Sequence, residues 1–148
     1  MRMDVVRLKL TFGMVAIAGA AMTAACGSSS SPTTPTPTTP AGPTFSQQIQ
    51  ADILTPACVR CHTDEGRTPA GGLILKAGAA YAQLVNVPSP RSGVIRVIPG
   101  NPSGSYLVQK LEGAPSIMGA RMPLNSAPLT DAQIALIRQW IQNGAPNN

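Results

Sequence analysis

Apolar residues recur at the spacing of an α-helix in four segments of the chain, and the last of these segments has the clearest pattern. Thr130 and Gln133 have the spacing of a capping box, and Leu129 with Ile134 has the spacing of a hydrophobic staple. Gly144 marks the end of the segment. The pattern therefore predicts an amphipathic helix near the end of the chain. Its apolar face consists of three isoleucines: Ile134, Ile137 and Ile141.

The first predicted helix covers Ser46–Leu54. Phe45 and Ile49 begin its apolar face, and Ser46 is a suitable N-cap. Pro56 is expected to end it, because proline has no N–H to donate within a helix and clashes with the preceding turn. The helix would thus lead directly into the cysteine-containing motif described below.

Two shorter helices are predicted in the middle of the chain. One covers Ala79–Val85. The other begins after a cap at Asn101 or Ser103 and ends at Gly113. Segments rich in Gly and Pro separate the helices. These patterns predict an all-α fold of about four helices.

The N-terminus has the features of a bacterial secretory signal. Three basic residues (Arg2, Arg7 and Lys9) precede the apolar run Leu10–Ala25, which is short and rich in small residues for a membrane span. Thr23–Cys26 is similar to the processing box of bacterial lipoproteins, in which cleavage leaves the cysteine as a lipidated N-terminus. We therefore predict a signal peptide over residues 1–25 and lipidation of Cys26. The alternative is plain secretion with a free thiol.

Ser, Thr, Pro and Gly make up nearly all of residues 27–43. Such a segment has little to bury and is expected to be an extended linker. The predicted organisation is a signal peptide (1–25), a lipidated linker (26–43) and one globular domain (44–148). Gly27 is not the aspartate that retains lipoproteins in the inner membrane. This favours a periplasm-facing lipoprotein of the outer membrane, attached through the lipid at Cys26.

Cys58, Cys61 and His62 form a C-x-x-C-H motif, which has the spacing for covalent attachment of a c-type haem. Each thiol can add across one vinyl group of the porphyrin, and the adjacent imidazole can ligate the iron. His62 is the only histidine in the chain, so sites that need two histidines are excluded. The motif predicts one covalently attached haem c with His62 as the proximal iron ligand.

Two other uses of a C-x-x-C pair remain as alternatives. Structural zinc normally has four Cys, His or carboxylate ligands in two separated pairs, and this chain has one cluster only. A thioredoxin-like dithiol belongs in a strand–helix pattern, whereas this motif follows an amphipathic helix and precedes a Gly- and Pro-rich loop. Both alternatives are weaker than haem.

The sixth iron position has two candidate ligands, Met122 and Met118. A methionine thioether suits haem iron, and His/Met ligation raises the reduction potential. Met122 is the better candidate because Pro123 would stiffen the loop that presents it. An open sixth position, or an external ligand, remains an alternative.

Charge gives less information than the motif. After the predicted leader the chain has eight Lys or Arg and five Asp or Glu, without basic runs, which does not suggest binding to nucleic acid. Arg96 and Arg121 could pair with the haem propionates, or remain solvated. Trp140 is expected near the haem edge or elsewhere in the core.

Several blocks in addition to the haem motif occur in a characteristic order. They are Gly71-Gly72-Leu73 with Leu75, Val97 to Pro102 with Ser105-Tyr106-Leu107, Arg121-Met122-Pro123, and Leu129 through Trp140-Ile141 to Ala145. In this order the chain resembles the small cytochrome c domains of the planctomycete type, which occur in bacterial exported proteins and lipoproteins. The resemblance implies a helical cytochrome c fold with His62 proximal and Met122 distal. Leu124 stands where that family usually has a second proline.

The predicted function is single-electron transfer between periplasmic redox proteins, as a carrier and not as an enzyme. The alternative is a haem-containing subunit of an oxidoreductase, or a ligand or redox sensor, with an open sixth site. The chain lacks a second histidine that could act as an acid or base beside the iron.

Overall fold

The structure, a computed structural model, describes residues 42–148. The predicted signal peptide (1–25), Cys26 and all but the last two residues of the predicted linker (26–43) lie outside the described residues. All of the described residues belong to one compact unit, Pro37–Asn148.

Four helices form the described part of the chain. Helix α1 covers Phe45–Leu54 and continues through Thr55–Ala57. It is followed by α2 (Ala80–Leu84), α3 (Tyr106–Glu112) and α4 (Asp131–Gln142), and a single 3-10 turn lies at Ala70–Gly72. Residues 42–148 contain no strand, although two isolated bridges join Val85 to Val97 and Pro88 to Ile95. The prediction of an all-α fold with four helices is therefore confirmed for these residues.

Helix α1 differs from the prediction at both ends. Its N-cap is Thr44 and not Ser46, and Phe45–Leu54 has the i→i+5 hydrogen bonding of a π-helix. Pro56 does not end it: the proline lies where the π-helical segment passes into the Thr55–Ala57 turn, and the N–H groups of Cys58 and Val59 beyond it both donate to the Leu54 carbonyl. The helix therefore runs up to Cys58 without interruption.

The caps of the later helices agree with the sequence in part. Thr130 and Gln133 form the predicted capping box of α4. The N-cap of α3 is Ser105, which makes no side-chain cap bond, and neither Asn101 nor Ser103 takes that position. Gly113 ends α3 with a left-handed backbone, as predicted.

Three aromatic side chains form the centre of the core. The ring of Phe45 lies 5.2 Å from the rings of both Tyr81 and Trp140, measured between ring centroids. The indole Nε1 of Trp140 donates to the carbonyl of Pro146 at 2.9 Å, and the Tyr81 hydroxyl donates to the carbonyl of Ala145 at 2.9 Å. The cluster therefore joins α1, α2 and α4 to the C-terminal segment.

The C-terminal segment also caps α1. The N–H of Phe45 donates to the side-chain oxygen of Asn148 at 2.9 Å, and the N–H of Ser46 donates to the Asn148 carbonyl at 2.8 Å. The first N–H groups of a helix have no partner within the helix. Asn148 thus has the role of an N-cap, although it is about a hundred residues away in sequence.

Replacing Asn148 by alanine is expected to lower the free energy of unfolding by about 1 kcal/mol, because the Phe45 N–H loses its side-chain acceptor. Denaturant unfolding followed by the fluorescence of Trp140 measures the change. Asn147→Ala is the matched control, since Asn147 is also exposed and its side chain makes no hydrogen bond within the described residues. Equal losses in the two variants would contradict the capping role.

None of the helices in residues 42–148 is long and apolar enough to cross a membrane.

Candidate functional site

A cavity of about 570 Å³ lies between the segment that follows α1 and the loop that follows α3. This volume is within the usual range for small-molecule and cofactor sites, about 300–1,000 Å³. Much of its wall is apolar, because six leucines line it: Leu73, Leu75, Leu84, Leu107, Leu111 and Leu124. Cys58, Cys61, His62, Met118 and Met122 line the same cavity. The structure therefore brings together all the residues that the sequence analysis considered for attaching the haem or ligating its iron.

Backbone hydrogen bonds place the C-x-x-C-H motif in the cavity wall. The N–H of Cys58 donates to the carbonyl of Leu54 at 2.9 Å, which continues the helical path of α1. The N–H of His62 donates to the Cys58 carbonyl at 3.0 Å, and the His62 carbonyl accepts from Leu75 at 2.8 Å. The turn of the motif is therefore hydrogen-bonded both to α1 and to the segment that contains Leu73 and Leu75.

The imidazole of His62 is half-buried, and its Nδ1 atom is buried without a hydrogen-bond partner in the described residues. Burial lowers the pKa of His62, while the nearby carbonyls of Ala70 and Leu73 oppose that shift. Neither carbonyl accepts a hydrogen bond of ordinary geometry from Nδ1, although a metal-ligating histidine usually donates its other ring N–H to such a partner. A neutral imidazole is the form that can ligate a metal.

The two thiols differ in environment. Cys58 is half-buried and Cys61 is exposed, and both are free cysteines. Burial, with a smaller contribution from Cys61, raises the pKa of the Cys58 thiol to about 11. Thiol–disulfide catalysis requires a cysteine of lowered pKa. Burial therefore disfavours the thiolate of Cys58, which is the form that attacks in thiol–disulfide exchange.

The loop that carries Met118 and Met122 is attached to the last turn of α3. The N–H of Met122 donates to the Lys110 carbonyl at 2.8 Å, and Nε of Arg121 donates to the Leu111 carbonyl at 2.6 Å. The last four carbonyls of a helix have no intrahelical partner. The methionine loop supplies donors to two of these carbonyls, and α3 in return holds the loop at the cavity.

Side chains of α3 also hydrogen-bond to the loop that carries Met118 and Met122. The Tyr106 hydroxyl accepts from the Met118 N–H at 2.9 Å. Nζ of Lys110 donates to the carbonyl of Met118 at 3.0 Å and also to that of Ala120. Gly113 allows this close approach, since it has a φ of +76° and a Cβ there would lie 3.1 Å from Cδ of Arg121. The positions of both methionines therefore depend on α3.

Met122 and Met118 are not equivalent, although both line the cavity. Met122 is half-buried and packs against the hydrophobic core, whereas Met118 is 46% exposed. The Met122–Pro123 peptide bond is cis. Met122 is therefore the more buried of the two candidate ligands, and it is also the candidate that the sequence favours.

Charge is unevenly distributed around the cavity. Five of the eight basic residues in the described part of the chain line it, and none of the five acidic residues there does so. These basic residues are Arg60, Arg67, Arg91, Arg96 and Lys110. Arg96 is one of the two arginines considered as propionate partners. The other, Arg121, lies outside the lining, and so does Trp140.

Sequence analysis did not identify the residues that position the methionine loop. Tyr106 and Lys110 are four residues apart and therefore lie on one face of α3. The available signal was a lysine one turn after a tyrosine on a short helix whose buried residues are otherwise apolar. The contact between Arg60 and Ser126, whose side chains are 3.1 Å apart, joins residues 66 positions apart and had no signal in the sequence.

Residues 42–148 contain no group of three or more His, Cys, Asp or Glu side chains that could hold a metal ion. A structural zinc site with four such ligands is therefore not formed by these residues. His62 with a methionine is a different set of donors, which suits an iron already held by a porphyrin.

Comparisons with models of known protein families, with curated proteins and with solved structures found no match to this chain.

The cavity fits a haem by the chemistry of its wall. Two free thiols and an imidazole lie together in it, leucines form much of its apolar wall, and the half-buried Met122 of the loop after α3 also lines it. The excess of basic side chains matches the two carboxylates of a porphyrin. The buried Nδ1 of His62 has no hydrogen-bond partner within the described residues, although the carbonyls of Ala70 and Leu73 lie near the ring.

Proposed function

We propose that this protein is an exported mono-haem c-type cytochrome that carries single electrons between redox proteins. The observation that carries this proposal is that Cys58, Cys61, His62 and Met122 all line one apolar cavity. Two segments about sixty residues apart in sequence supply them. None of these residue types is unusual alone, but their meeting in one cavity matches the donor set of a c-type cytochrome.

Different residues of the cavity would attach the cofactor and ligate its iron. Cys58 and Cys61 would attach it covalently, and His62 and Met122 would ligate its iron. When bound, the haem supplies an iron centre that changes between the ferrous and ferric states. The leucine wall excludes water and keeps the surroundings apolar, which, with the methionine ligand, favours a raised reduction potential.

The proposed activity is that of a carrier and not of an enzyme. A ligand from the protein at each axial position leaves no site at which a substrate could reach the iron. Acid–base catalysis beside the iron would need a further positioned group, and the chain has no second histidine. Lys110 is the basic side chain on α3 at the cavity, and its Nζ already donates to two loop carbonyls.

The remaining parts of the proposal come from the sequence outside the described residues. Lipidation at Cys26 would attach the protein to a membrane facing the periplasm, with the outer membrane favoured. The linker of residues 26–43 would then let the domain reach donor and acceptor proteins of the periplasm. Nucleic acid is not among the proposed partners.

Substitution of each of the three cysteines tests the proposal. In cells with a c-type cytochrome maturation system, we expect the wild-type chain to retain haem after denaturing electrophoresis. Cys58→Ala/Cys61→Ala should lose all covalently bound haem, because it removes both thioethers, and each single variant should hold less than the wild type, because it removes one. Cys26→Ser is the matched control: it should keep the haem and lose attachment to the membrane fraction.

The same experiment separates the parts of the proposal. A wild-type chain without covalent haem would overturn the cytochrome assignment. A Cys26→Ser chain that remains in the membrane fraction would overturn the lipid anchor alone.

A further inference from the structure

Arg96 is the most deeply buried charged residue at the cavity. It is 6% exposed, and its backbone is fixed on both sides, since its N–H donates to Val87 at 2.8 Å and its carbonyl accepts from Leu107 at 2.9 Å. Nη1 of its guanidinium donates to the carbonyl of Gln83 at 2.7 Å. The guanidinium has five N–H donors, and this is its only hydrogen bond within the described residues.

Arg96 has no counter-ion in the described part of the chain. The ion pairs there join Lys76 to Asp64 and Glu65, and Arg138 to Glu112. A buried charge is costly unless it is paired and hydrogen-bonded. Burial lowers the pKa of Arg96, as expected for a cation without a nearby carboxylate. The side chain therefore lines the cavity with most of its donors and its charge uncompensated.

The other basic residues of the cavity wall are placed differently. Nζ of Lys110 is committed to the methionine loop. Arg60 and Arg67 are exposed and make hydrogen bonds to Ser126 and to the Arg60 carbonyl respectively. Arg91 is exposed but lies on the same loop as Arg96. Only Arg96 is both buried and available to an anion inside the cavity.

Ser89 and Arg91 also line the cavity from the loop that ends at Arg96. The loop is closed on itself, since the N–H of Ser89 donates to the carbonyl of Val94 at 2.9 Å. It therefore presents one buried guanidinium, one exposed guanidinium and one hydroxyl to the same space.

We propose that Arg96, with Ser89 and Arg91, forms a carboxylate-binding subsite that holds a propionate of the haem; this inference rests on the proposed function. A guanidinium matches a carboxylate with two parallel hydrogen bonds, and such charge-assisted bonds are stronger than neutral ones. The pairing also compensates the buried charge of Arg96. Lysine keeps the charge but not the bidentate geometry.

Resonance Raman spectra of the haem-loaded protein test this subsite, because the propionate bending band responds to hydrogen bonding at the carboxylate. We expect the band to shift in Arg96→Gln and to shift less in Arg96→Lys. Arg138→Gln is the control, since Arg138 pairs with Glu112 away from the cavity, and its band should match that of the wild type. An Arg96→Gln spectrum identical to that of the wild type would overturn the subsite.

A crystal structure of the wild-type haem-loaded protein gives a test that needs no substitution. The guanidinium of Arg96 should lie within hydrogen-bond distance of a propionate oxygen, and a separation above about 4 Å would overturn the inference. Failure of the subsite is distinguishable from failure of the proposed function. In the first case the protein contains covalent haem and Arg96 does not contact it, whereas in the second the matured chain contains no haem.

Discussion

Met122→Ala is expected to convert the haem-loaded protein from a six-coordinate, low-spin form to one that binds carbon monoxide readily at neutral pH. The ferric far-red absorption band that reports an iron–methionine bond should disappear. The physical reason is that Met122 is the half-buried methionine at the cavity, on a loop whose backbone is fixed to the Lys110 carbonyl. Removing its thioether leaves the sixth position without a protein ligand.

Met118→Ala is the matched control for this experiment. Met118 is on the same loop and lines the same cavity, but it is 46% exposed. The far-red band should therefore persist in this variant, with carbon monoxide binding as slow as in the wild type. Loss of the band in Met118→Ala and not in Met122→Ala would assign the distal ligand to Met118.

A third outcome would change the proposed function itself. A wild-type protein that is already high-spin and binds carbon monoxide freely has an open sixth site. The alternative of a haem-containing oxidoreductase subunit or a sensor would then replace the carrier.

The chain without haem is expected to be loosely folded. In Cys58→Ala/Cys61→Ala the cavity of about 570 Å³ has no covalent occupant, and three of the leucines that line it, Leu73, Leu107 and Leu124, are left half-buried or exposed. Burying one leucine side chain contributes about 1.5–3 kcal/mol. Losing even part of this for three leucines removes about 3 kcal/mol, which is a large share of the whole stability of a small domain, about 5–15 kcal/mol.

Calorimetry and dye binding measure this difference. The haem-loaded wild type should unfold in one cooperative transition, whereas the double variant should bind a hydrophobic dye and show a broad transition at a temperature at least about 10 °C lower. Asn147→Ala, which retains both cysteines, is a suitable loaded control because its side chain makes no hydrogen bond in the described residues. A sharp transition in the double variant, near the temperature of the loaded protein, would show that the protein core alone determines the fold.

The helices were predictable from the sequence to the extent that local interactions determine them. The capping box of Thr130 and Gln133 and the left-handed end at Gly113 each depend on residues a few positions apart, and both predictions are confirmed. The N-cap of α1 was not predictable, because its side-chain acceptor is Asn148 at the other end of the domain. The prediction that α1 ends at Pro56 was wrong, because the proline stands at the start of the Thr55–Ala57 turn, and proline is tolerated at the start of a helical turn.

The same distinction applies to the candidate site. The sequence by itself determined the motif Cys58–His62, the two methionines and the absence of a second histidine, because these are facts of residue identity and spacing. Only the tertiary structure decided that Met122 is half-buried and Met118 exposed, and that α3 holds their loop. It also decided that Arg96 lines the cavity while Arg121 does not. Burial and pairing arise when segments distant in sequence pack together. The spacing of residues within one segment does not show which other segment packs against it.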